Sequence, residues 1–130
     1  MKKCRVYDKH LKIIRDVKYI DFANEEVMFY ADEFEGNEDE ANLDMVRGFN
    51  EVNIMWSTGL KDENGIEIYE SDLVEYRDDE ESFTGEIETT CFGTYAKTKN
   101  DYIRFEDFSD ENTRIAGNCY VVGNIYENQA

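Results

Sequence analysis

The chain has 130 residues, of which 41% are hydrophobic and 14% aromatic, a composition too apolar for a disordered chain. Its 31 acidic and 14 basic residues give a net charge of −17, which repels nucleic-acid phosphates and anionic lipids because both are bound through Lys and Arg. We therefore expect a folded soluble domain that binds neither nucleic acid nor a membrane directly.

The N-terminal part of the chain predicts a small antiparallel β-meander. In residues 3–8 and 17–22, successive side chains would face opposite sides of a strand with a period of two, and residues 27–30 form a short apolar run. Alternation with a period of two is typical of a half-buried strand. Asp8, Lys9 and His10 predict a turn after the first strand.

An acidic segment follows the meander. Residues 32–44 read DEFEGNEDEANLD, which predicts a loop because like charges repel and little apolar surface is present. Within this region, residues 38–47 predict a short helix that Gly48 ends. The acidic segment marks a boundary between an N-terminal part, 1–50, and a second part, 51–130, which we expect to pack together as one domain.

The second part of the chain predicts several short strands separated by turns. The Asn64-Gly65 pair is a strong hairpin signal, and Ser71-Asp72 and Asp78–Glu81 predict further turns. Short strands with turns about every 8 to 12 residues favour a barrel or sandwich over a parallel α/β sheet. Residues 109–112 predict one helical turn. The predicted strands cover 52–56, 66–68, 73–76, 83–91, 94–97, 102–105 and 119–126.

The sequence lacks the residue patterns of familiar catalytic and metal sites. His10 is the only histidine, and Cys4, Cys91 and Cys119 are odd in number and widely spaced, so we expect reduced thiols rather than a zinc site or a disulfide framework. No nucleophile elbow, phosphate-binding loop or dinucleotide fingerprint is present. We predict no catalytic residue, no metal and no cofactor, and hence a protein that is not an enzyme.

The expected location is the cytoplasm. No apolar run approaches the roughly 20 residues that cross a bilayer. The first ten residues, MKKCRVYDKH, mix charged and apolar side chains, unlike a secretory signal peptide.

Three segments together carry a family resemblance: CRVYDKH at Cys4–His10, TGLKDENGIEIYESDLVEY at Thr58–Tyr76 and VVGNIYEN at Val121–Asn128. They resemble the YopX family of phage and prophage proteins. The resemblance implies a mainly β fold with an SH3-like or related β-barrel over 51–130 and little helix. It also implies the cytoplasm of a bacterial host and self-association into a homo-oligomer, but no reaction, because the family offers no established catalytic residue.

The residues that match the family motif are expected to be structural. Gly59 and Gly65 permit turns with positive φ, and Asp72 is expected to bind the backbone of a turn. Ser71 stands where the family usually has glycine, which argues against a left-handed backbone there and favours a type I turn. The matching positions are Gly59, Asn64, Gly65, Tyr69, Asp72, Gly123, Asn124 and Tyr126.

Three functional hypotheses follow. The first is a protein-interaction module with an unknown protein partner, in which Trp56, Tyr69 and Tyr95 contact the partner if they are exposed; Trp56 is otherwise a core residue. The second is an acidic mimic of DNA that inhibits a host nucleic-acid enzyme, which the net charge of −17 favours. The third is an enzyme acting on a small ligand, which would require a deep pocket with convergent polar groups.

Overall fold

A computed structural model describes residues 3–29, 46–91, 93–104 and 114–127. The chain divides into two compact units, Met1–Met55 and Trp56–Ala130. The described residues form antiparallel strands, turns and one 3-10 turn at Phe49–Glu51, with no α-helix among them. The predicted mainly β class is therefore confirmed.

The first sheet is antiparallel and has six strands in the order β4-β3-β2-β1-β5-β6, of which β1 to β4 and the beginning of β5 belong to the N-terminal unit. Strands β1, β2 and β3 pair in chain order, which is the meander that the alternating pattern predicts, and β4, which was not predicted as a strand, pairs with β3. The core of this unit consists of Val6, Val27, Phe29 and Val52. The strands are β1 Cys4–Asp8, β2 Ile13–Asp21, β3 Glu26–Phe29, β4 Val46–Gly48 and β5 Val52–Lys61, of which β5 continues into the second unit.

Two boundaries of the N-terminal unit differ from the prediction. The first turn occupies 9–12, so β2 begins earlier than predicted. The end of the predicted helix, residues 46 and 47, lies in β4, where pairing with β3 satisfies the backbone and Arg47 reaches the buried Asp8. The helix prediction is therefore wrong at these positions, and residues 30–45 lie outside the described part of the chain.

The second unit contains the end of β5, which pairs with β6, and a five-stranded antiparallel sheet in the order β10-β9-β8-β7-β11. Its core consists of Leu60, Ile68, Val74, Tyr76, Ile87, Ala96, Ala116 and Cys119. The strands are β6 Glu67–Tyr69, β7 Asp72–Arg77, β8 Ser82–Thr90, β9 Gly93–Lys97, β10 Tyr102–Arg104 and β11 Cys119–Asn124.

The predicted SH3-like barrel is not confirmed. In the described residues the five-stranded sheet ends at β10 and β11, and no strand pairing closes it on itself. At the β11 edge, the turn after β5 makes two hydrogen bonds: the Glu63 N–H donates to the carbonyl of Cys119 at 2.9 Å, and the Asp62 carboxylate accepts the N–H of Val121 at 3.0 Å. The predicted helical turn at 109–112 lies outside the described residues.

Candidate interaction face

A buried ion cluster joins three strands of the N-terminal unit. Asp8, Arg15 and Arg47 are 0%, 3% and 6% exposed. Arg15 Nη1 lies 3.0 Å and Arg47 Nε 3.2 Å from Asp8 Oδ2, while the Arg15 guanidinium lies 3.6 Å from the centre of the Phe29 ring. Since the three side chains come from β1, β2 and β4, the cluster fixes the relative positions of these strands.

The ionised form of Asp8 is stabilised by its partners. Burial by itself would raise the pKa of Asp8, but hydrogen bonds from Arg15 and from the backbone N–H groups of His10 and Leu11, together with the charge of Arg47, hold the pKa below its usual value. A carboxylate enclosed in this way stabilises the fold by holding its strands together. His10, the only histidine in the sequence, is exposed in the turn that follows Asp8.

Asp62 organises the turn between β5 and β6. Its Oδ1 accepts the backbone N–H groups of Asn64 and Ile66, each at 2.9 Å, and its Oδ2 accepts the backbone N–H of Val121 at 3.0 Å. One fully buried carboxylate therefore shapes its own turn and ties it to the edge of β11. Sequence reasoning missed Asp62, although an Asp two residues before Asn-Gly is a signal for an Asx-type turn.

The two turn glycines of the family motif have positive φ. Gly59 has a φ of 78°, and a Cβ there would lie 3.3 Å from the Arg114 side chain. Gly65 has a φ of 81°, and a Cβ there would meet no atom within 4 Å. The turn at Asn64 and Gly65 therefore needs glycine for its backbone conformation rather than for lack of space.

The turn between β6 and β7 connects several elements of the second unit. Ser71 has a φ of 71°, which a type I turn does not allow at a central position, so the predicted turn type is wrong. The Ser71 N–H donates to the carbonyl of Ile87 at 2.8 Å, and its carbonyl accepts the N–H of Ile125 at 3.0 Å. Asp72, which is fully buried, accepts the N–H of Tyr69 at 2.8 Å.

The C-terminal part of the motif forms a further capped turn. Gly123 lies where the pairing between β11 and β7 shifts register. Asn124 is 6% exposed, and its Oδ1 accepts the N–H groups of Tyr126 at 3.0 Å and Glu127 at 2.9 Å. The motif positions thus hold strands and turns together.

The three predicted contact residues lie in different environments. Tyr69 is 6% exposed and belongs to the buried residues of the second unit, so it does not meet the condition of exposure. Trp56 in β5 is half-buried. Tyr95 in β9 is also half-buried, and it lies on the face of the five-stranded sheet opposite the core.

That face, which we call the outer face, is defined by strand register. Val74, Ile87 and Ala96 point into the core, so the residues that alternate with them lie on the other side of the sheet. None of the residues of the outer face is buried. The outer face comprises Leu73, Glu75, Arg77, Thr84, Glu86, Glu88, Tyr95, Lys97, Tyr102, Arg104 and Tyr120.

Aromatic and cationic side chains meet on the β9–β10 side of the outer face. The rings of Tyr95 and Tyr102 are 6.4 Å apart at 83°, an edge-to-face arrangement. Lys97 Nζ lies 5.9 Å from the centre of the Tyr102 ring and 3.9 Å from a carboxylate oxygen of Glu88. Sequence reasoning selected Tyr95 but missed Tyr102 and Lys97, because only the register of the sheet brings them together.

The outer face is balanced in charge, in contrast to the chain as a whole. Its basic residues are Arg77, Lys97 and Arg104, and its acidic residues are Glu75, Glu86 and Glu88. The charges are also separated across the sheet, since Lys97 and Arg104 lie on β9 and β10 and Glu86 and Glu88 on β8. This part of the surface therefore presents one positive strip and one negative strip side by side, next to the rings of Tyr95 and Tyr102.

The three cysteines are free thiols. Burial, reinforced by the negative charges of Asp62 and Glu63, raises the pKa of Cys119 to about 12. Burial also raises the pKa of Cys4, whereas Cys91 is exposed. A cysteine nucleophile requires a thiolate near neutral pH, whereas the raised pKa of Cys119 keeps this side chain a protonated thiol.

No other chemical centre emerges from the part of the chain that the structure describes. No group of three or more His, Cys, Asp or Glu side chains there is arranged to hold a metal ion. Among the same residues, none forms a helix of the length and apolarity that a membrane-spanning helix requires.

Together, the paired sheets and the backbone-binding carboxylates of the turns define a small, mainly β protein. The family model described as YopX protein matches residues 3–130, and the chain belongs to the YopX family. The chain is also similar to the crystal structure of protein EF1440 from Enterococcus faecalis, with a TM-score of 0.62 and 23% identity over 98% of this chain and 95% of that one. This likeness shows a shared fold. No curated protein matches the chain.

Proposed function

We propose that this YopX-family protein is a non-enzymatic protein-interaction module, encoded by a phage or prophage and acting in the cytoplasm of a bacterial host. Its binding surface is the outer face, and its first partner is a second copy of the same chain. The observation that carries this proposal is the balanced charge of the outer face in a chain whose net charge is −17. The module uses no cofactor and binds neither nucleic acid nor a membrane directly.

Electrostatic repulsion restricts where two copies can meet. Two molecules that each carry a net charge of −17 repel one another over most of their surfaces. The cost of approach is lowest where a surface carries acidic and basic side chains in equal number, because each charge can then face an opposite charge of the other copy. The outer face provides this arrangement.

The outer face is also complementary to itself. A twofold axis near the boundary of β8 and β9 would place Lys97 and Arg104 of one copy against Glu86 and Glu88 of the other, and the reverse pairing would follow by symmetry. Charge pairs of this kind set the orientation and register of a complex more than its affinity.

Tyrosine rings supply the contact area. Tyr102 is 55% exposed and packs edge-to-face on Tyr95, so the pair can bury aromatic surface without losing much side-chain freedom. Tyrosine is one of the residue types that contribute most to protein interfaces. Tyr120 adds a third ring toward the opposite side of the sheet.

Sedimentation velocity of the purified chain over a range of concentrations tests this proposal. We expect a concentration-dependent dimer that Tyr102→Ala weakens by about tenfold or more, the loss typical of an interface aromatic. Tyr19→Ala is the matched control, because Tyr19 is 52% exposed but lies in the N-terminal unit on β2. Equal effects of both substitutions, or a wild-type chain that stays monomeric, would refute self-association through the outer face.

The alternative function is an acidic mimic of DNA that occupies the basic groove of a host enzyme. The net charge of −17 favours it, as does the exposed turn at Asp78–Glu81. Capture of host proteins on the immobilised chain, followed by stepwise salt elution, separates the two functions. A basic nucleic-acid enzyme released over a narrow salt range would favour mimicry, because phosphate-like contacts are strongly screened.

A further inference from the structure

We infer that Asn64 is a site of spontaneous deamidation, which alters the turn between β5 and β6 over time. Asn64 is the only asparagine in the chain that glycine follows. Both residues are exposed, and the position of a Cβ on Gly65 has no atom within 4 Å. The backbone nitrogen of a glycine can approach the preceding side chain closely, because no side chain of its own stands in the way.

The reaction needs only water as a co-reactant. The Gly65 nitrogen gives up its proton and attacks Cγ of Asn64, the new C–N bond closes a succinimide ring, and the Cγ–Nδ2 bond breaks as ammonia leaves. Water then opens the ring at one of its two carbonyl carbons. Opening at the former side-chain carbonyl gives aspartate, and opening at the backbone carbonyl gives isoaspartate, in which the main chain runs through the side chain.

The contacts of the turn leave the Asn64 amide free to react. The Asn64 side chain makes no hydrogen bond to any described residue; its backbone N–H alone is held, by Asp62 Oδ1. The attacking nitrogen of Gly65 donates to the carbonyl of Asp62 at 2.9 Å. That bond lies in an exposed turn, where local opening costs little compared with unfolding the sheet.

Deamidation would disturb the contacts of Asp62. An aspartate at position 64 adds a negative charge beside Asp62 and Glu63. Isoaspartate lengthens the backbone between Asp62 and Ile66, whose N–H donates to the same carboxylate at 2.9 Å. Because the other oxygen of Asp62 holds Val121, the change reaches the edge of β11.

Peptide mapping of the folded, full-length chain after incubation at mildly alkaline pH tests the inference. The tryptic peptide 62–77 contains Asn64 as its only side-chain amide, so a gain of about 1 Da in that peptide assigns the site. Peptide 48–61 is the internal control, because its Asn50 and Asn53 precede Glu51 and Ile54. We expect peptide 62–77 to be modified several-fold faster than peptide 48–61, with aspartate and isoaspartate products separable by chromatography.

Two comparisons make the outcome decisive. Gly65→Ala should slow the reaction several-fold, and the modified wild-type fraction should unfold at a lower urea concentration than the unmodified fraction. If peptide 62–77 stays unmodified in the folded chain but is modified when the chain is unfolded in urea, the turn protects Asn64 and the inference is wrong. Equal rates for peptides 62–77 and 48–61 in the folded chain would also overturn it.

Discussion

The carboxylate of Asp62 accepts the backbone N–H of Val121 at 3.0 Å, although the two residues are 59 positions apart in the sequence. Asp62 is fully buried, and its other oxygen accepts two N–H groups of its own turn. A side chain therefore satisfies a backbone donor that would otherwise lie at the open edge of a sheet, where unpaired strands tend to associate.

Substituting Asp62 tests this link. Asp62→Asn replaces one acceptor oxygen by an NH₂ group, so at least one of the three N–H groups loses its acceptor. We expect the free energy of unfolding to fall by about 1–3 kcal/mol, measured by urea denaturation. Asp79→Asn removes the same charge from an exposed residue and should change stability by less than about 0.5 kcal/mol. Equal effects would show that charge, rather than hydrogen bonding, explains the result.

Ser71 should accept glycine with a gain in stability. Its φ of 71° disfavours any residue with a Cβ, and the Ser71 side chain makes no hydrogen bond to any residue that the structure describes. We expect Ser71→Gly to raise the free energy of unfolding by up to about 1 kcal/mol, since relief of strain exceeds the added flexibility of the unfolded chain. Ser71→Val should lower stability, and a stabilising valine would contradict the left-handed backbone.

The buried cluster around Asp8 should make stability depend on pH in the acid range. Because the pKa of Asp8 is lowered in the folded state, its stabilising contribution is complete above the unfolded value of about 3.9 and is lost as pH falls through the folded value. Asp8→Asn should lower the free energy of unfolding by about 3–5 kcal/mol at neutral pH, because it removes the buried negative charge that the Arg15 and Arg47 guanidinium groups both contact. The difference in the free energy of unfolding between the wild type and Asp8→Asn should become smaller below about pH 4.

Asp16→Asn is the control for Asp8, because Asp16 is exposed on the same strand as Arg15. Thermal unfolding across the acid range measures both variants. If Asp8→Asn does not fold, the pH dependence of wild-type stability still tests whether the ionised Asp8 carboxylate stabilises the fold. A stability that stays constant from neutral pH to below about pH 3 would contradict this role.

The thiols should differ sharply in reactivity. Cys91 is exposed, whereas Cys119 is fully buried with its pKa raised to about 12. A thiol reagent at mildly alkaline pH should therefore modify Cys91 quickly and Cys119 only after unfolding. Cys91→Ser should remove the fast phase of thiol labelling. Rapid labelling of Cys119 in the folded chain would contradict the prediction and show that the core of the second unit opens readily.

Much of the fold was predictable from the sequence, because alternation of side chains reports directly on strands. The Asn64-Gly65 turn and the strands around Val74 and Ile87 follow from local patterns alone. The helix predicted to end at Arg47 failed because a long-range contact decided the outcome: Arg47 lies in β4, with its guanidinium on Asp8. Local propensity cannot register such an ion pair.

The candidate site was less predictable than the fold. Tyr95 was recognisable as a candidate, but its neighbours Tyr102 and Lys97 depend on which residues the register places side by side. Tyr69 illustrates the opposite case, since an aromatic residue in a family motif can be either a core residue or a contact residue until its burial is known. Strand pairing, which the sequence does not encode locally, decides both questions.

Charge reversal on the outer face is the sharpest test of self-association through this surface. Lys97→Glu with Arg104→Glu makes this part of the face acidic, and Glu86→Lys with Glu88→Lys makes it basic. Sedimentation should show each double variant as a monomer at concentrations where the wild type is a dimer, and an equimolar mixture of the two should form a mixed dimer. If both variants associate like the wild type, or if the mixture shows no association, the outer face is not the surface through which copies of this protein meet.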